Sequence, residues 1–544
     1  MPENNKKAAF MKNRILGIGI QELSELRGYN CVYVDKTEII RKLITNGKFY
    51  FLSRPRRFGK SLLLNTIKEI FKGRKELFEG TRIYDKHNFE ETYPIIKISF
   101  SSLDYDGLGL ESALDNELNN IAEKNGFSLK TKTYPEKFKE LIIKLNEKNP
   151  AVILIDEYDK PIVDYAEEKN LTTSKKNRDI LKKFYSAVKD CDKYIKFLFI
   201  TGVSKFSQVS FFSELNNLND ITFNENYADL TGYTEEEIIE NYSFYLERIE
   251  KKFNFSRDRL MGFIKLWYNG YSWDGKNFIY NPFSLLNLFS NNSFSNYWFK
   301  SGTPTFLTKM IKNKDIDIDK IESSFLVSEN IFDAYEIEDI DVTVLLFQAG
   351  YLTVKEKITD FQNMVSSYRL AYPNLEVQSS FRQYLLGAFT GFNKTSFFEI
   401  TKELKDNLDN NQIEEFIANL KAIYAKIPHT VFIKDRESYY HRIIYLLFTL
   451  MKEKYLDVEV LTNKGRIDAV IKTADYICIA EFKMNSAETA LKQIKDKKYY
   501  ESYMNDKREI LCLGVAFDKE ERNIKNYKLV TLDELLKPEA DKNK

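Results

Sequence analysis

Gly59, Lys60 and Ser61 are the residue types that bind the phosphate chain of a nucleotide, and they close the stretch RPRRFGKS (54–61). In a phosphate-binding loop of the GxxxxGK[ST] pattern, backbone N–H groups and the lysine hold the phosphates, and the hydroxyl binds Mg²⁺. Here Gly59 would permit close approach of the backbone, and Lys60 would reach the β- and γ-phosphates as a surface ligand. Ser61 would bind Mg²⁺. These residues predict a nucleotide site.

The elements expected around this loop are those that position a phosphate. KFYFLS (48–53) predicts a strand before it, and SLLLNTIKEIFKG (61–73) predicts an amphipathic helix whose N-terminus favours an anion. Arg54 departs from the pattern, because it stands where the first glycine is usual and the turn there often needs a positive φ. Arg56 and Arg57 either add positive charge at the phosphates or lie solvated on the surface.

A second apolar run, AVILID (151–156), ends in two carboxylates, Asp156 and Glu157. In nucleotide hydrolysis such an aspartate holds Mg²⁺, and the next carboxylate can polarise water. Ser204, just past another apolar run, either senses the γ-phosphate or caps a loop. Near-continuous apolar runs of this kind predict parallel strands buried on both faces: 48–53, 94–100, 151–156 and 194–200.

Asp468, Glu481 and Lys483 form a D-x12-E-x-K pattern in the C-terminal part of the chain. Two predicted strands, 465–473 and 476–484, are joined by a two-residue hairpin loop, so counting outward places Asp468 opposite Glu481. Opposed carboxylates repel unless a divalent cation lies between them, and Mg²⁺ suits one or two carboxylates with retained waters. Lys483 could orient water or stabilise the phosphate. The alternative is an edge hairpin with ordinary solvent charges.

The elements around this hairpin follow the order α-β-β-β-α-β. A helix is predicted over 437–455, a second over 486–504, and a last buried strand over 509–517. The apolar face of the hairpin would pack on helices and leave the charged face turned the other way. KKYYESY (497–503) is either a surface that contacts a nucleic-acid backbone or an ordinary helix face.

Eight stretches carry a resemblance that covers nearly the whole chain: YVDKTEII (33–40), SRPRRFGKSLLL (53–64), ILIDEYDKPI (153–162), FITGVSKFS (199–207), WYNGYSW (267–273), YNPFSLL (280–286), YWFKSGTPTFL (297–307) and GRIDAVI with IAEFK (465–483). The chain resembles the bacterial AAA-ATPase-like proteins whose C-terminus is a PD-(D/E)XK nuclease-superfamily domain.

The resemblance implies that the arginine-bearing loop is a family form of the phosphate loop and that the nucleotide is ATP. It also implies that Asp468, Glu481 and Lys483 are the catalytic triplet. Glu437 and Gln493 fall where accessory metal or water ligands are found in that superfamily, and Glu459 is a further candidate.

We therefore predict an α/β multidomain protein. An AAA-like P-loop NTPase domain with a parallel sheet (1–230) precedes a mainly helical middle or lid region (231–430), and a restriction-endonuclease-like α-β-β-β-α-β domain (431–544) follows. ATP binding and hydrolysis would be coupled to Mg²⁺-dependent cleavage of nucleic acid, with DNA favoured and Mn²⁺ acceptable at the nuclease site. The alternative is an NTP-dependent regulatory switch or interaction protein whose nuclease-like domain binds nucleic acid or a partner without cutting.

Composition limits the partners. The 81 basic and 80 acidic side chains give a net charge of +1, so any nucleic-acid contact must be local. No apolar run reaches the roughly 18–20 residues of a membrane helix, and no secretory signal is expected, so we predict a cytoplasmic protein with no membrane partner. The four cysteines form no CxxC pair and are expected to be reduced and buried. The sequence leaves open whether the protein forms a homo-oligomer.

Overall fold

The computed structural model divides the chain into two compact units, 1–378 and 379–544. The residues that the structure describes are 14–166, 170–205, 217–302, 318–322, 324–332, 341–427, 437–451, 456–462, 465–484, 486–518 and 520–537.

The strands of the described residues are β1 Phe49–Ser53, β2 Ile95–Ser99, β3 Ala151–Asp156, β4 Ile195–Gly202, β5 Asn219–Asp220, β6 Phe325–Ser328, β7 Thr353–Asp360, β8 Val365–Ala371, β9 Leu456–Thr462, β10 Gly465–Lys472, β11 Tyr476–Lys483, β12 Glu509–Asp518 and β13 Asn523–Thr531.

The α-helices are α1 Leu23–Gly28, α2 Thr37–Asn46, α3 Lys60–Phe71, α4 Tyr105–Leu108, α5 Leu110–Lys124, α6 Tyr134–Leu145, α7 Lys160–Val163, α8 Leu171–Asp190, α9 Glu235–Phe253, α10 Arg257–Tyr268, α11 Pro282–Asn291, α12 Tyr297–Gly302, α13 Ile318–Glu322, α14 Val342–Ala349, α15 Leu375–Thr390, α16 Lys394–Asp409, α17 Ile413–Ala425, α18 Glu437–Leu450, α19 Ala487–Lys497 and α20 Leu532–Leu536. None of these described helices combines the length and apolar character needed to cross a bilayer.

The N-terminal sheet is parallel, with strand order β2-β3-β4-β1-β5. Every residue of β1 and β3 is buried, as expected for strands covered on both faces by helices. The four apolar runs are thus confirmed as neighbouring strands. Because they run parallel, the loops after β1, β3 and β4 leave the same edge of the sheet.

The middle of the chain is mainly helical but also contains a small antiparallel sheet of order β6-β8-β7, which the sequence analysis did not predict. Its hairpin turn is closed by Asp360, whose Oδ1 accepts the N–H groups of Gln362 (2.9 Å) and Asn363 (3.2 Å). Much of β7 is exposed, so its sequence lacks the apolar alternation of a half-buried strand.

The C-terminal sheet has strand order β13-β12-β11-β10-β9, with β11 and β12 parallel and the other pairs antiparallel. The predicted α-β-β-β-α-β order is present, but β12 is not the last strand, because β13 adds an exposed edge strand beside it. The predicted second helix is also shorter. It ends at Lys497, and Lys498 takes a left-handed conformation (φ 52°) before a 3-10 turn over Tyr499–Tyr503.

All four cysteines are buried free thiols, as predicted.

Candidate functional site

The loop between β1 and α3 has its left-handed residues at Arg57 (φ 68°) and Gly59 (φ 86°). Gly59 is the residue immediately before α3, where a positive φ costs glycine little. Arg54 is not left-handed. The positive φ expected at the position of the missing glycine is therefore wrong. The left-handed non-glycine residue of the loop is Arg57 instead.

Arg54 is a buried structural cation. Its guanidinium donates to the carbonyl oxygens of Ser53 and Thr222, each at 2.9 Å, and lies 3.8 Å from the ring centre of Trp273. Desolvation lowers the pKa of Arg54 to about 9, so the side chain stays charged at pH 7. It therefore fixes the end of β1 to the residues after β5 and to the middle region.

Lys60 is only 6% exposed, so the predicted surface position of this lysine is wrong. Its ammonium donates to the carbonyl oxygens of Arg54 (2.8 Å) and Pro55 (2.9 Å), which folds the loop back over the lysine. Burial lowers the pKa of Lys60, while the carboxylates of Asp156 and Glu157 oppose that shift. An incoming phosphate would replace the two carbonyl partners.

The predicted magnesium ligands Ser61 and Asp156 are in contact. The Ser61 hydroxyl donates to Asp156 Oδ2 at 2.6 Å, and Thr201 on β4 donates to Asp156 Oδ1 at 2.8 Å. A hydroxyl and a carboxylate oxygen side by side are hard ligands that suit Mg²⁺, which keeps several waters and substrate oxygens around it. The chemistry of this pair thus fits the expected ion.

Glu157 directly follows this pair and takes a left-handed conformation (φ 53°). It lines the same cavity as Lys60 and Ser61. Ser204 is held differently, because its backbone N–H (2.7 Å) and hydroxyl (2.5 Å) both donate to the buried carboxylate of Asp159. The Ser204 hydroxyl therefore caps the end of β4, which is one of the two predicted alternatives.

A cavity of about 470 Å³ opens beside these residues. Its walls come from the N-terminal segment, the loop with the start of α3, the residues after β3, and the middle region. Representative members of each group are Tyr33 and Ile40, Lys60 and Ser61, Glu157 and Lys160, and Tyr233, Phe283 and Leu286. Its volume falls within the range of ordinary small-molecule pockets.

The middle region contacts the arginine-bearing loop directly, a feature that the sequence analysis did not identify. The Trp298 indole N–H donates to the carbonyl oxygen of Arg56 at 3.0 Å, and the Arg57 guanidinium lies 4.9 Å from the ring centre of Phe283. Arg56 and Arg57 both line the cavity. The aromatic stretches that contain Trp298 and Phe283 carried the family resemblance, and this was the available signal.

The C-terminal hairpin has the predicted register. Ala469 pairs with Ala480 and Val470 with Ile479, so Asp468 and Glu481 are the next opposed positions. Each carboxylate accepts a hydrogen bond from a backbone N–H of the opposite strand. Asp468 Oδ2 accepts from the Phe482 N–H at 2.9 Å, and Glu481 Oε1 accepts from the Asp468 N–H at 3.3 Å.

Glu481 is fully buried. Its Oε2 accepts a hydrogen bond from Gln493 on α19 at 2.7 Å, and the Lys483 ammonium lies 3.8 Å away. Burial and the neighbouring Asp468 carboxylate raise the pKa of Glu481 well above its usual value, while Lys483 opposes the shift. A divalent cation would favour the ionised form.

A helix also covers the charged face of the hairpin, whereas helices were predicted against the apolar face with the charged face turned away from them. β10 and β11 are interior strands of the sheet, and α19 lies over this face through Gln493. Tyr499 and Tyr500 belong to the buried cluster that includes residues of α19, so these two tyrosines are not available to a nucleic-acid backbone, although Lys497, Lys498, Glu501 and Ser502 are exposed. The side chains of Glu437 and Glu459 lie outside the residues whose side chains the structure describes.

Within the described part of the chain, no group of three or more His, Cys, Asp and Glu side chains is placed to hold a metal ion. Both candidate sites are smaller. They provide one carboxylate and a hydroxyl in one case and two carboxylates in the other, which matches the few protein ligands that Mg²⁺ uses when substrate phosphates complete its shell.

Comparison with known proteins gives two family matches. Residues 17–212 match the model described as "Predicted AAA-ATPase", and residues 435–527 match the PD-(D/E)XK nuclease superfamily. The chain is also 36% identical over 538 residues, 96% of its length, to the full length of an "Uncharacterized protein in vnfD 5'region" from Azotobacter chroococcum mcd 1.

Proposed function

Because the chain belongs to the family of predicted AAA-ATPases that carry a C-terminal PD-(D/E)XK nuclease-superfamily domain, we propose that it couples Mg²⁺-ATP binding and hydrolysis to metal-dependent phosphodiester cleavage. The proposed substrate is nucleic acid, with DNA favoured. We also propose a cytoplasmic location, where the four buried thiols would stay reduced.

The contact that carries the ATP half of the proposal is the one between Ser61 and Asp156. It brings the loop after β1 and the end of β3 together at the cavity, where Lys60 can hold phosphate and Glu157 can polarise water. In this assignment Arg56, Arg57 and Gly59 also contact the phosphates, and Ser61 and Asp156 hold Mg²⁺. Ser204 would act on the nucleotide indirectly, because its hydrogen bonds to Asp159 fix the end of β4.

The nuclease half rests on the opposition of Asp468 and Glu481, with Lys483 beside them. The two acids would hold Mg²⁺ or Mn²⁺, which supplies a Lewis acid and an activated water when it is bound. Lys483 would stabilise the charge that develops on the phosphate. Gln493 would orient Glu481.

A second function has one observation in its favour. Glu481 is already bonded to Gln493 and to the Asp468 N–H. A carboxylate whose lone pairs accept hydrogen bonds from protein donors is less available to a metal ion. This favours an NTP-dependent switch whose C-terminal domain binds nucleic acid or a partner without cutting.

A cleavage assay separates the two functions. Wild-type protein is incubated with single- and double-stranded DNA and with RNA, in Mg²⁺, Mn²⁺ or EDTA. The nuclease assignment predicts metal-dependent cleavage that Asp468→Asn abolishes. Binding of the same substrates without cleavage in either metal would contradict it and favour the switch.

A further inference from the structure

A second, smaller cavity of about 40 Å³ adjoins the nucleotide cavity and shares three wall residues with it: Arg56, Glu157 and Lys160. This volume holds a few water molecules, because one water needs about 10–15 Å³ measured in this way. Because Glu157 lines both cavities, water in the small cavity can reach that carboxylate.

The far wall of the small cavity comes from α14 of the middle region, through Leu345, Gln348 and Ala349. Gln348 is only 7% exposed. Its side-chain amide makes no hydrogen bond to another residue of the described segments. The amide atoms of Gln348 are not among the sealed polar atoms that lack a partner, so water or a ligand in the cavity can satisfy them.

The end of α14 is fixed against the phosphate loop. Gly350, which follows the helix with φ 91°, approaches Pro55 so closely that a Cβ atom there would lie 2.8 Å from the proline side chain. Trp298, which donates to Arg56, lies on the same side of Gly350. The helix that carries Gln348 is therefore held at a defined position relative to the loop.

The other walls of the small cavity cannot orient a water in the same way. Ser204 and Asp159 bind each other, and the cations Arg56 and Lys160 can donate but not accept. The remaining wall side chains are apolar: Val163, Val203, Leu345 and Ala349. A carboxamide can accept one water hydrogen bond and donate another.

We infer that Gln348 is a positioning residue for ATP hydrolysis, supplied to the nucleotide site by the middle region of the same chain. This inference rests on the proposed ATPase function. Gln348 orients the attacking water while Glu157 polarises it. The water oxygen bonds to the γ-phosphorus, and the bond from that phosphorus to the bridging oxygen breaks. The electron pair leaves with ADP, and the water proton passes to Glu157.

The test compares Gln348→Leu with Leu345→Met, a conservative change in the same wall. In the full-length protein, Gln348→Leu should lower kcat for ATP about 10²-fold, as loss of one oriented hydrogen-bonding group does elsewhere. ATP affinity and Tm should stay near wild type, and Leu345→Met should keep near-normal kcat. Gln348→Met provides a second apolar replacement in case the leucine variant does not fold.

Three outcomes would overturn the inference. If wild-type protein hydrolyses ATP and both Gln348 variants keep its kcat, Gln348 has no positioning role, while the proposed ATPase function stands. If kcat, ATP affinity and Tm fall together in the Gln348 variants and also in Leu345→Met, the wall is structural. If wild-type protein binds ATP but does not hydrolyse it, the proposed hydrolysis fails and the inference fails with it.

Discussion

The Ser61 hydroxyl lies 2.6 Å from Asp156 Oδ2, although the two residues are 95 positions apart in the sequence. This contact requires β1 and β3 to end at the same edge of one parallel sheet, with β4 between them. It brings together the two residues that the sequence analysis predicted, from separate motifs, as magnesium ligands.

Asp156→Asn should lower the Mg²⁺-dependent affinity for ATP by about tenfold or more, since one charge-assisted contact contributes about 1.5–3 kcal/mol. The amide can keep a hydrogen bond to Ser61 or Thr201, so the fold should persist. Calorimetry in Mg²⁺ and in EDTA measures the effect. Equal Mg²⁺ dependence in the variant and the wild type would exclude Asp156 as a metal ligand.

Glu157→Gln should bind ATP with nearly unchanged affinity but hydrolyse it about 10²-fold more slowly, because the base is lost while Ser61 and Asp156 remain. A steady-state phosphate-release assay, combined with calorimetry, separates the two quantities. A parallel loss of affinity and turnover would instead place Glu157 in binding.

Arg54→Met should destabilise the protein by about 2–4 kcal/mol, because it removes a buried cation and leaves two carbonyl oxygens unsatisfied. The matched control is Arg57→Ala, which removes an exposed arginine of the same loop and should change stability little. Thermal unfolding without nucleotide makes the comparison. Similar Tm values for the two variants would show that Arg54 is not the structural residue described above.

Glu481→Gln should stabilise the metal-free protein at pH 8. Because burial and Asp468 raise the pKa of Glu481, its proton stabilises the fold fully below the ordinary glutamate pKa, and this stabilisation is lost as the pH rises through the raised pKa. The variant should therefore differ little from wild type near pH 5 and be more stable by at least about 1.4 kcal/mol at pH 8, the equivalent of one pKa unit.

Hydrogen exchange of the β10 and β11 amides measures this difference in stability. Full-length Glu481→Gln is compared at each pH with wild type and with the control Glu520→Gln, which changes an exposed glutamate. Added Mg²⁺ should narrow or reverse it, because only the wild type binds the ion fully. A variant that is less stable than wild type at pH 8 without metal would show that the Glu481 carboxylate is a structural group.

The sequence predicted features that depend on local pattern. The buried strands were recognisable as continuous apolar runs, and the two-residue loop at Ala474 and Asp475 fixed which residues of β10 and β11 oppose each other. Both features follow from short-range geometry: strand periodicity and turn length.

The features that the sequence did not predict depend on contacts between distant segments. The burial of Arg54 requires Trp273, and the burial of Tyr499 requires α19 to end at Lys497. β13 was missed because four consecutive residues in it are exposed, which leaves no apolar alternation to read. Sequence pattern indicates which residues are polar or apolar, but not which distant surface covers them.

The most direct test of the coupled function is the cleavage rate of DNA by the full-length protein in Mg²⁺, measured with and without ATP. Three proteins are compared: wild type, Lys60→Met and Asp468→Asn. We predict that ATP changes the wild-type rate, that Lys60→Met cleaves at a rate independent of ATP, and that Asp468→Asn binds ATP but does not cleave. Equal wild-type rates with and without ATP, or cleavage that survives in Asp468→Asn, would contradict this prediction.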